Sequence, residues 1–229
     1  MSESPSSPVQ VINLGFVNAF LLPTGDGFVL VDTGISQQWP RLERALQAAG
    51  CLPDRLKLVV LTHGDPDHAG NCVRLRDGYH VRIAMHAGDV PLVANGATPQ
   101  RITRGLGNKL FMGIGKVIMK LTKAQTGIAS FTPDILLEDG QSLAEYGLDA
   151  QVLYLPGHTK GSIMLLTASG DLVAGDTFTN NTHPGPAMLI QNQAELSASL
   201  ERVRGLQATT VYPGHGKPFA FEKIAGING

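Results

Sequence analysis

The chain of 229 residues has almost no net charge, few cysteines and no long apolar run. It carries 18 Lys and Arg against 19 Asp and Glu, so it lacks the positive charge typical of nucleic-acid-binding proteins. Its two cysteines, Cys51 and Cys72, offer neither the spacing of a zinc site nor a disulfide framework. No apolar stretch is long enough to cross a bilayer, and the first residues lack the basic and apolar regions of a signal peptide. We expect a cytoplasmic protein with no integral membrane segment and no nucleic-acid partner.

The remaining composition is typical of a compact globular chain, and its length fits a single α/β or sandwich domain or two small domains. Hydrophobic residues make up 43% of the chain, and 27 glycines and 14 prolines provide many turns while disfavouring a long coiled coil. Short apolar runs bounded by turn residues predict strands at 9–14, 17–22, 27–31, 56–61, 150–155, 162–167, 172–174 and 209–212. Apolar residues at helical spacing predict helices at 39–49 and 193–203. We treat residues 1–229 as a single domain.

The segment 90–133 differs from the rest because it contains no Asp or Glu. Its basic residues are Arg101, Arg104, Lys109, Lys116, Lys120 and Lys123. Apolar residues between 110 and 121 recur on one helical face and the lysines on another, which predicts a basic amphipathic helical insertion. Three interpretations remain open: a surface helix packed on the domain, a lid over a site for an anionic substrate, or a contact with a membrane surface.

A dense group of potential metal ligands follows the predicted strand 56–61. Two histidines and two aspartates fall within six positions: His63, Asp65, Asp67 and His68. Imidazole nitrogen and carboxylate oxygen bind zinc, iron and manganese, and alternate positions in a loop allow the side chains to diverge toward two adjacent ions. A polar turn with a capping carboxylate would require the aspartates but not both histidines. The loop therefore predicts a dinuclear metal site.

Three later motifs supply further ligands. His158 and His215 each follow a Pro-Gly turn just beyond a predicted strand, and Asp176 follows Gly175 after another short apolar strand. Strand ends on a rigid scaffold are common positions for functional side chains. We expect these three residues to join the loop ligands around one site.

The order and approximate spacing of these motifs resemble the metallo-β-lactamase superfamily, whose pattern is an H-x-H-x-D-H loop, a later Pro-Gly-His, a Gly-Asp and a final Gly-His. The resemblance covers nearly the whole chain and implies an αββα sandwich, with two β-sheets face to face and helices outside. It implies a first metal held by His63 and His158, a second metal held by Asp67, His68 and His215, and Asp176 as the bridge between them. It also implies that Asp32 supports the ligands without binding a metal itself.

Asp65 departs from the pattern of the superfamily, in which histidine is the commoner residue at that place. As a ligand, Asp65 would remove one unit of positive charge from the metal core. Hard oxygen ligands favour iron or manganese relative to zinc, and the flavodiiron relatives with an acidic residue here use iron. We expect two divalent ions, with zinc first and iron or manganese as alternatives. Asp65 either binds a metal or leaves the first site with two histidines and an open position.

The resulting hypothesis is a dinuclear metal-dependent hydrolase that acts on a small-molecule substrate. A metal-bound hydroxide, oriented by Asp67 as the catalytic residue, would attack an ester, thioester, lactone or amide carbonyl. The alternative is an iron-dependent redox protein of the flavodiiron or sulfur-dioxygenase type. A binding module with a decayed site is disfavoured, because all seven expected ligand positions hold competent ligands. No residue is assigned to the substrate, and the 90–133 insertion is expected to determine it.

Five further side chains lie near these motifs without belonging to them. We expect a structural or supporting role for His86 and a surface position for His80. His183 is either a turn residue or part of the substrate pocket. Lys160 and Tyr212 flank expected ligands, and we interpret them as an exposed charge and a core aromatic.

Overall fold

The computed structural model describes residues 9–95, 101–103 and 128–227. The strands are β1 (Gln10–Asn13), β2 (Asn18–Pro23), β3 (Phe28–Val31), β4 (Leu56–Val60), β5 (Ile83–His86), β6 (Ile102–Thr103), β7 (Ile135–Leu137), β8 (Ala150–Tyr154), β9 (Ile163–Thr167), β10 (Asp171–Asn180), β11 (Gly185–Pro186), β12 (Leu189–Ile190), β13 (Thr210–Gly216) and β14 (Phe219–Ala220). The α-helices are α1 (Trp39–Ala48), α2 (Pro66–Ala69), α3 (Cys72–Tyr79), α4 (Val90–Asn95) and α5 (Gln193–Arg204).

The strands form two large sheets and one small one. The first sheet has the order β1-β2-β3-β4-β5-β7, antiparallel from β1 to β3 and parallel from β3 to β7. The second has the order β14-β13-β10-β9-β8, in which β10 and β13 are parallel, and β11 also pairs with β10. The strands β6 and β12 form a separate antiparallel pair.

Three apolar clusters separate four layers. One packs α1 and α3 against the outer face of the first sheet and includes Leu42 and Leu75. A second fills the space between the two large sheets, with Leu58 and Leu165 from opposite sides. The third packs α5 against the outer face of the second sheet through Leu196 and its neighbours. The expected αββα sandwich is confirmed.

The predicted strands and helices are found close to their expected bounds, but β10 and β13 extend further than predicted. The prediction that Asp176 and His215 lie past strand ends is wrong, because both are inside these longer strands. The parallel pairing continues through register shifts on either side of Gly175, which adopts φ +50°. Such bulges bend a strand and re-aim its side chains without ending it.

Three further expectations concern the rest of the chain. The basic amphipathic helix predicted at 110–121 lies outside the described residues. Among the residues that the structure describes, no helix combines the length and apolar character that a membrane span requires. Cys51 and Cys72 are buried and free, and burial raises the pKa of the Cys51 thiol to about 12.

The packing between the sheets generates a stability prediction. Leu58 on β4 is fully buried in the inter-sheet cluster, whereas Leu136 on β7 is 53% exposed. Leu58→Ala should lower the free energy of unfolding by about 2–5 kcal/mol, because it removes buried methyl groups and leaves a cavity. Leu136→Ala should change it by less than about 1 kcal/mol. Urea unfolding of both variants measures the difference, and equal losses would contradict the assignment of the core.

Candidate metal centre

A single buried carboxylate fixes the base of the site. Asp32 follows β3 directly and adopts a left-handed backbone conformation with φ +60°. Its Oδ1 accepts a hydrogen bond from the backbone N–H of Thr62 at 2.9 Å, and its Oδ2 accepts one from Thr62 Oγ1 at 2.7 Å. Oδ2 also faces His68 Nδ1 at 2.8 Å. Asp32 thus joins the end of β3 to the ligand loop after β4 and to α2.

The expected ligands converge in two groups. The ligand atoms of His63, His158 and Asp176 lie within 4.8 Å of one another and form the first group. Those of Asp67, His68 and His215 do the same and form the second group. Asp176 contacts both, because its Oδ2 is 3.7 Å from His158 Nε2 and 3.1 Å from His215 Nε2. Its Oδ1 is 3.2 Å from His68 Nε2.

The four histidines present the same ring nitrogen to the site. Each Nδ1 faces an oxygen: Thr62 Oγ1 for His63 at 3.0 Å, Asp32 Oδ2 for His68 at 2.8 Å, Leu189 O for His158 at 2.7 Å and Phe16 O for His215 at 2.6 Å. A carbonyl or carboxylate oxygen can only accept, and the Thr62 hydroxyl already donates to Asp32, so each Nδ1 carries the proton. Nε2 is therefore the nitrogen that each ring presents to the site, and it can bind a metal once it carries no proton of its own.

The buried polar atoms at the centre are of the kinds that bind metal ions. Within the described part of the chain, Nε2 of His63, His68 and His158 and Oδ1 of Asp176 are buried without a hydrogen-bond partner. Buried polar atoms rarely remain unpaired. The separations of 3.1–3.7 Å given above between Asp176 and the imidazole nitrogens resemble the edges of a ligand tetrahedron. With metal–ligand bonds of about 2.0–2.2 Å, such edges measure about 3.3–3.6 Å.

Gly214 leaves space that a side chain would fill. A Cβ at this position would lie 2.3 Å from Asp176 Oδ1 and 2.8 Å from His68 Cε1. Asn18 anchors the same part of β13, because its Nδ2 donates to Pro213 O at 3.1 Å and to Gly216 O at 2.8 Å. The close approach of β13 to the ligands therefore requires glycine at 214.

Asp65 contacts the first group and an arginine at the same time. Its Oδ2 lies 3.3 Å from His63 Nε2 and 3.5 Å from His158 Nε2, within ligand-to-ligand distance of both. Both of its oxygens also accept hydrogen bonds from the Arg101 guanidinium. Burial opposes the ionisation of Asp65, but His63, His158 and Arg101 hold its pKa well below the usual range. Arg101 immediately precedes β6.

Mutual electrostatics determine the charge of the second group and of Asp176, which contacts both groups. Burial alone would raise the pKa of Asp176, yet His215 and His68 lower it well below its usual range. Burial alone would lower the pKa of His68, yet Asp176, Asp32 and Asp67 raise it well above the usual range. The carboxylates thus attract positive charge to this centre, and divalent cations would meet the same attraction. In the first group, burial and the Arg101 charge lower the pKa of His158, which favours the neutral ligand form.

Sequence reasoning did not identify the residues that hold the ligand loops in place. Asp89 is buried and accepts hydrogen bonds from the backbone N–H groups of Gly64 and Gly161, each at 2.8 Å. It therefore ties the loop of His63 to the loop that follows His158. Arg101 and Asn18 were also not assigned these roles. The hydrogen-bond partners of these residues are distant in sequence. In the sequence, each residue is visible only as a polar side chain with no motif that assigns it a role.

The other histidines and flanking residues lie outside the two groups. His86 stacks on Tyr154 with ring centroids 4.0 Å apart, a structural contact. His80 is exposed at the end of α3, and His183 is exposed on the loop after β10. Lys160 is exposed as well. Tyr212 packs edge-on against Phe20, as expected for a core aromatic.

The close approach at Gly214 generates a prediction about metal binding. Gly214→Ala should displace Asp176 and weaken zinc binding by at least about tenfold, since disturbing the surroundings of ligands costs about 10–100-fold in affinity. Gly185→Ala is the matched control, because a Cβ there meets no atom of the described residues within 4 Å. Competition with a chromophoric chelator measures the affinity. Equal zinc affinity in the two variants would contradict this arrangement of Asp176 and β13.

Comparison with known proteins agrees with this architecture. The family model described as "Metallo-beta-lactamase superfamily" matches residues 12–215. A relative in Bacillus subtilis, "Probable metallo-hydrolase YqjP", is 26% identical over 86% of this chain and 66% of its own length. The human protein "Acyl-coenzyme A thioesterase MBLAC2" is 24% identical over 90% of this chain and 75% of its own length.

A solved structure has the same fold. The "metallo-beta-lactamase family protein TTHA1429" from Thermus thermophilus superposes with a TM-score of 0.70 at 24% identity, over 95% of this chain and 77% of that one. The family match covers most of the chain and includes the residues of both ligand groups. The chain belongs to the metallo-beta-lactamase superfamily.

Proposed function

We propose that this protein is a dinuclear metal-dependent hydrolase that cleaves an ester, thioester, lactone or amide bond of a small molecule. The observation that carries the proposal is the convergence of four imidazole Nε2 atoms on two ligand groups that share Asp176. The first ion would be held by His63, His158, Asp176 and Asp65, and the second by Asp67, His68, His215 and Asp176. Zinc is the proposed ion, with iron or manganese as alternatives.

A pair of bound ions would supply Lewis acidity and lower the pKa of water to about 7. The chain's own contribution begins with Asp67. Its side chain is 25% exposed, more than those of its neighbours His215 and Asp176, at 17% and 11%. Burial alone would raise the pKa of Asp67, but His68 and His215 lower it, so the carboxylate is ionised at neutral pH. Asp67 can therefore accept a hydrogen bond from the attacking water and orient it toward a substrate carbonyl.

The remaining residues keep the ligands in the form that this chemistry needs. Asp32, Thr62 and two backbone carbonyls hold the Nδ1 protons, so that the four rings present Nε2 to the site. Asp89 fixes the separation of the loops that carry His63 and His158. Such pre-organisation lowers the cost of bringing the reacting groups together.

A thioester of coenzyme A is the first substrate class to test. The relative MBLAC2 bears the name of an acyl-coenzyme A thioesterase, at 24% identity. Segment 90–133 contains no acidic residue and six basic ones. Arg101 is buried and paired with Asp65, and the charges of the other five would attract a polyanionic substrate. We propose that this segment is an insertion in a single domain and selects the substrate.

The second candidate function is an iron-dependent redox activity of the flavodiiron or sulfur-dioxygenase type. It is favoured by Asp65, a hard oxygen donor within 3.3 Å of His63 Nε2. Iron in the purified protein, together with oxygen consumption and no cleavage of any carbonyl substrate, would support this candidate over hydrolysis.

A panel of an acyl-coenzyme A, an aryl ester and a lactone tests the hydrolase. We expect zinc-loaded protein to hydrolyse at least one of them, to lose activity with a chelator and to regain it with zinc. His68→Ala should lower kcat/KM more than about a hundredfold. Loss of a residue that only hydrogen-bonds to a metal ligand usually costs about 10–100-fold, and loss of a ligand itself should cost more. His80→Asn, at an exposed histidine at the end of α3 whose left-handed backbone conformation Asn tolerates, should retain activity. Similar rates for the two variants would contradict the proposal.

A further inference from the structure

The buried ion pair between Arg101 and Asp65 is unusual for a metal centre, because it places a fixed cation beside the atoms that would bind one. The Arg101 and Asp65 side chains are 6% and 7% exposed. Nη1 of Arg101 donates to Asp65 Oδ2 and Nη2 donates to Oδ1, so the guanidinium engages the carboxylate with both arms of its fork. The same Oδ2 faces the Nε2 atoms of His63 and His158.

The backbone around Arg101 is tied to the first ligand group. Ile102 and Thr103 form β6, which pairs with Ile190 and Leu189 of β12. The carbonyl oxygen of Leu189 accepts the Nδ1 proton of His158 at 2.7 Å. One short strand pair therefore positions both the arginine and a ligand histidine, and Arg101 is not a free surface side chain that happens to reach the site.

The two ligand groups differ in charge because of this pair. In the first group, the Asp65 charge is offset by Arg101. Among the described residues, the salt bridges of Asp67 and Asp176 are with histidines alone. Asp32 adds another carboxylate behind His68 in the second group. A divalent ion at the first group meets repulsion from a guanidinium in a poorly screened interior, whereas one at the second group does not.

From this asymmetry we infer that Arg101 is a positioning residue that acts as the counter-charge of Asp65 and weakens ion binding at the first group. The pair together carries no net charge, as a neutral histidine at position 65 would. The inference rests on the proposed dinuclear function and adds an order to it: the second group fills at lower metal concentration than the first. It also implies that zinc affinity at the first group is retained unchanged only when Asp65 and Arg101 are substituted together.

Stepwise zinc titration of the metal-free protein against a chromophoric chelator tests this inference. We expect two unequal dissociation constants in the unmodified protein, with the weaker step lost in His63→Ala. Arg101→Gln should tighten the weaker step at least about tenfold and leave the stronger step within about threefold, because it removes the repulsive charge. Asp65→His should weaken the same step at least about tenfold, since it leaves the buried guanidinium unpaired beside the ion.

The double variant Asp65→His/Arg101→Gln should return the weaker step to within about threefold of the unmodified protein, because the neutral pair replaces the charged pair. It should also shift the preference from manganese toward zinc, because a hard oxygen ligand is lost. Arg202→Gln is the matched control: Arg202 forms an exposed ion pair with Asp139, and its loss should leave both steps unchanged. Thermal unfolding of each metal-free variant confirms that it is folded.

Three outcomes would overturn the inference. Arg101→Gln could leave the affinity of the weaker step unchanged or lower it, or it could tighten both steps equally. The double variant could also bind zinc at the weaker step no better than Asp65→His does. Failure of the proposed function gives a different result. If the titrations follow the expected pattern but no carbonyl substrate is hydrolysed, the charge pair stands and the hydrolase proposal fails. If neither the unmodified protein nor Arg101→Gln binds a second ion, both fail.

Discussion

The Asp32 carboxylate is the interaction on which the candidate metal centre depends. It is fully buried and holds Thr62 and His68 with three hydrogen bonds, and through the Thr62 hydroxyl it also sets the tautomer of His63. Asp32 adopts a left-handed conformation, which costs a residue other than glycine on the order of 1–2 kcal/mol. The hydrogen bonds that Asp32 makes in this conformation offset the cost. The orientation of each candidate ligand histidine is set by the hydrogen bond between its Nδ1 and an oxygen that the fold holds in place.

The centre is assembled from both sheets, so the sandwich itself determines its geometry. The ligand loop and α2 continue from β4 of the first sheet, whereas Asp176 and His215 lie on β10 and β13 of the second. The apolar cluster between the sheets sets their separation, and Asn18 on β2 links them directly through hydrogen bonds to the backbone of β13. A change in that packing would therefore alter the distances between ligands that come from different sheets.

Local signals in the sequence predicted most of the strands and the group of ligands in one loop, whereas the αββα sandwich and the assignment of ligands to two metals were implied by the resemblance to the superfamily. Apolar runs bounded by turn residues identify the strands, and the spacing of His63, Asp67 and His68 is a property of one loop. The continuation of β10 past Gly175 was not predictable in this way, since bulged pairing with β13 overrides a local turn signal. Asp89 and Arg101 were missed for the same reason: their partners are 25 to 72 residues away in the chain.

Two ions held by two groups that share Asp176 are the central claim, and anomalous diffraction from crystals equilibrated with zinc tests it most directly. Two zinc peaks are expected about 3.5–4 Å apart, the separation usual for two-metal sites. One peak should lie beside His63 and His158, the other beside His68 and His215, with Asp176 in contact with both. A single peak at saturating zinc, or two peaks with Asp176 bound to neither, would contradict the claim.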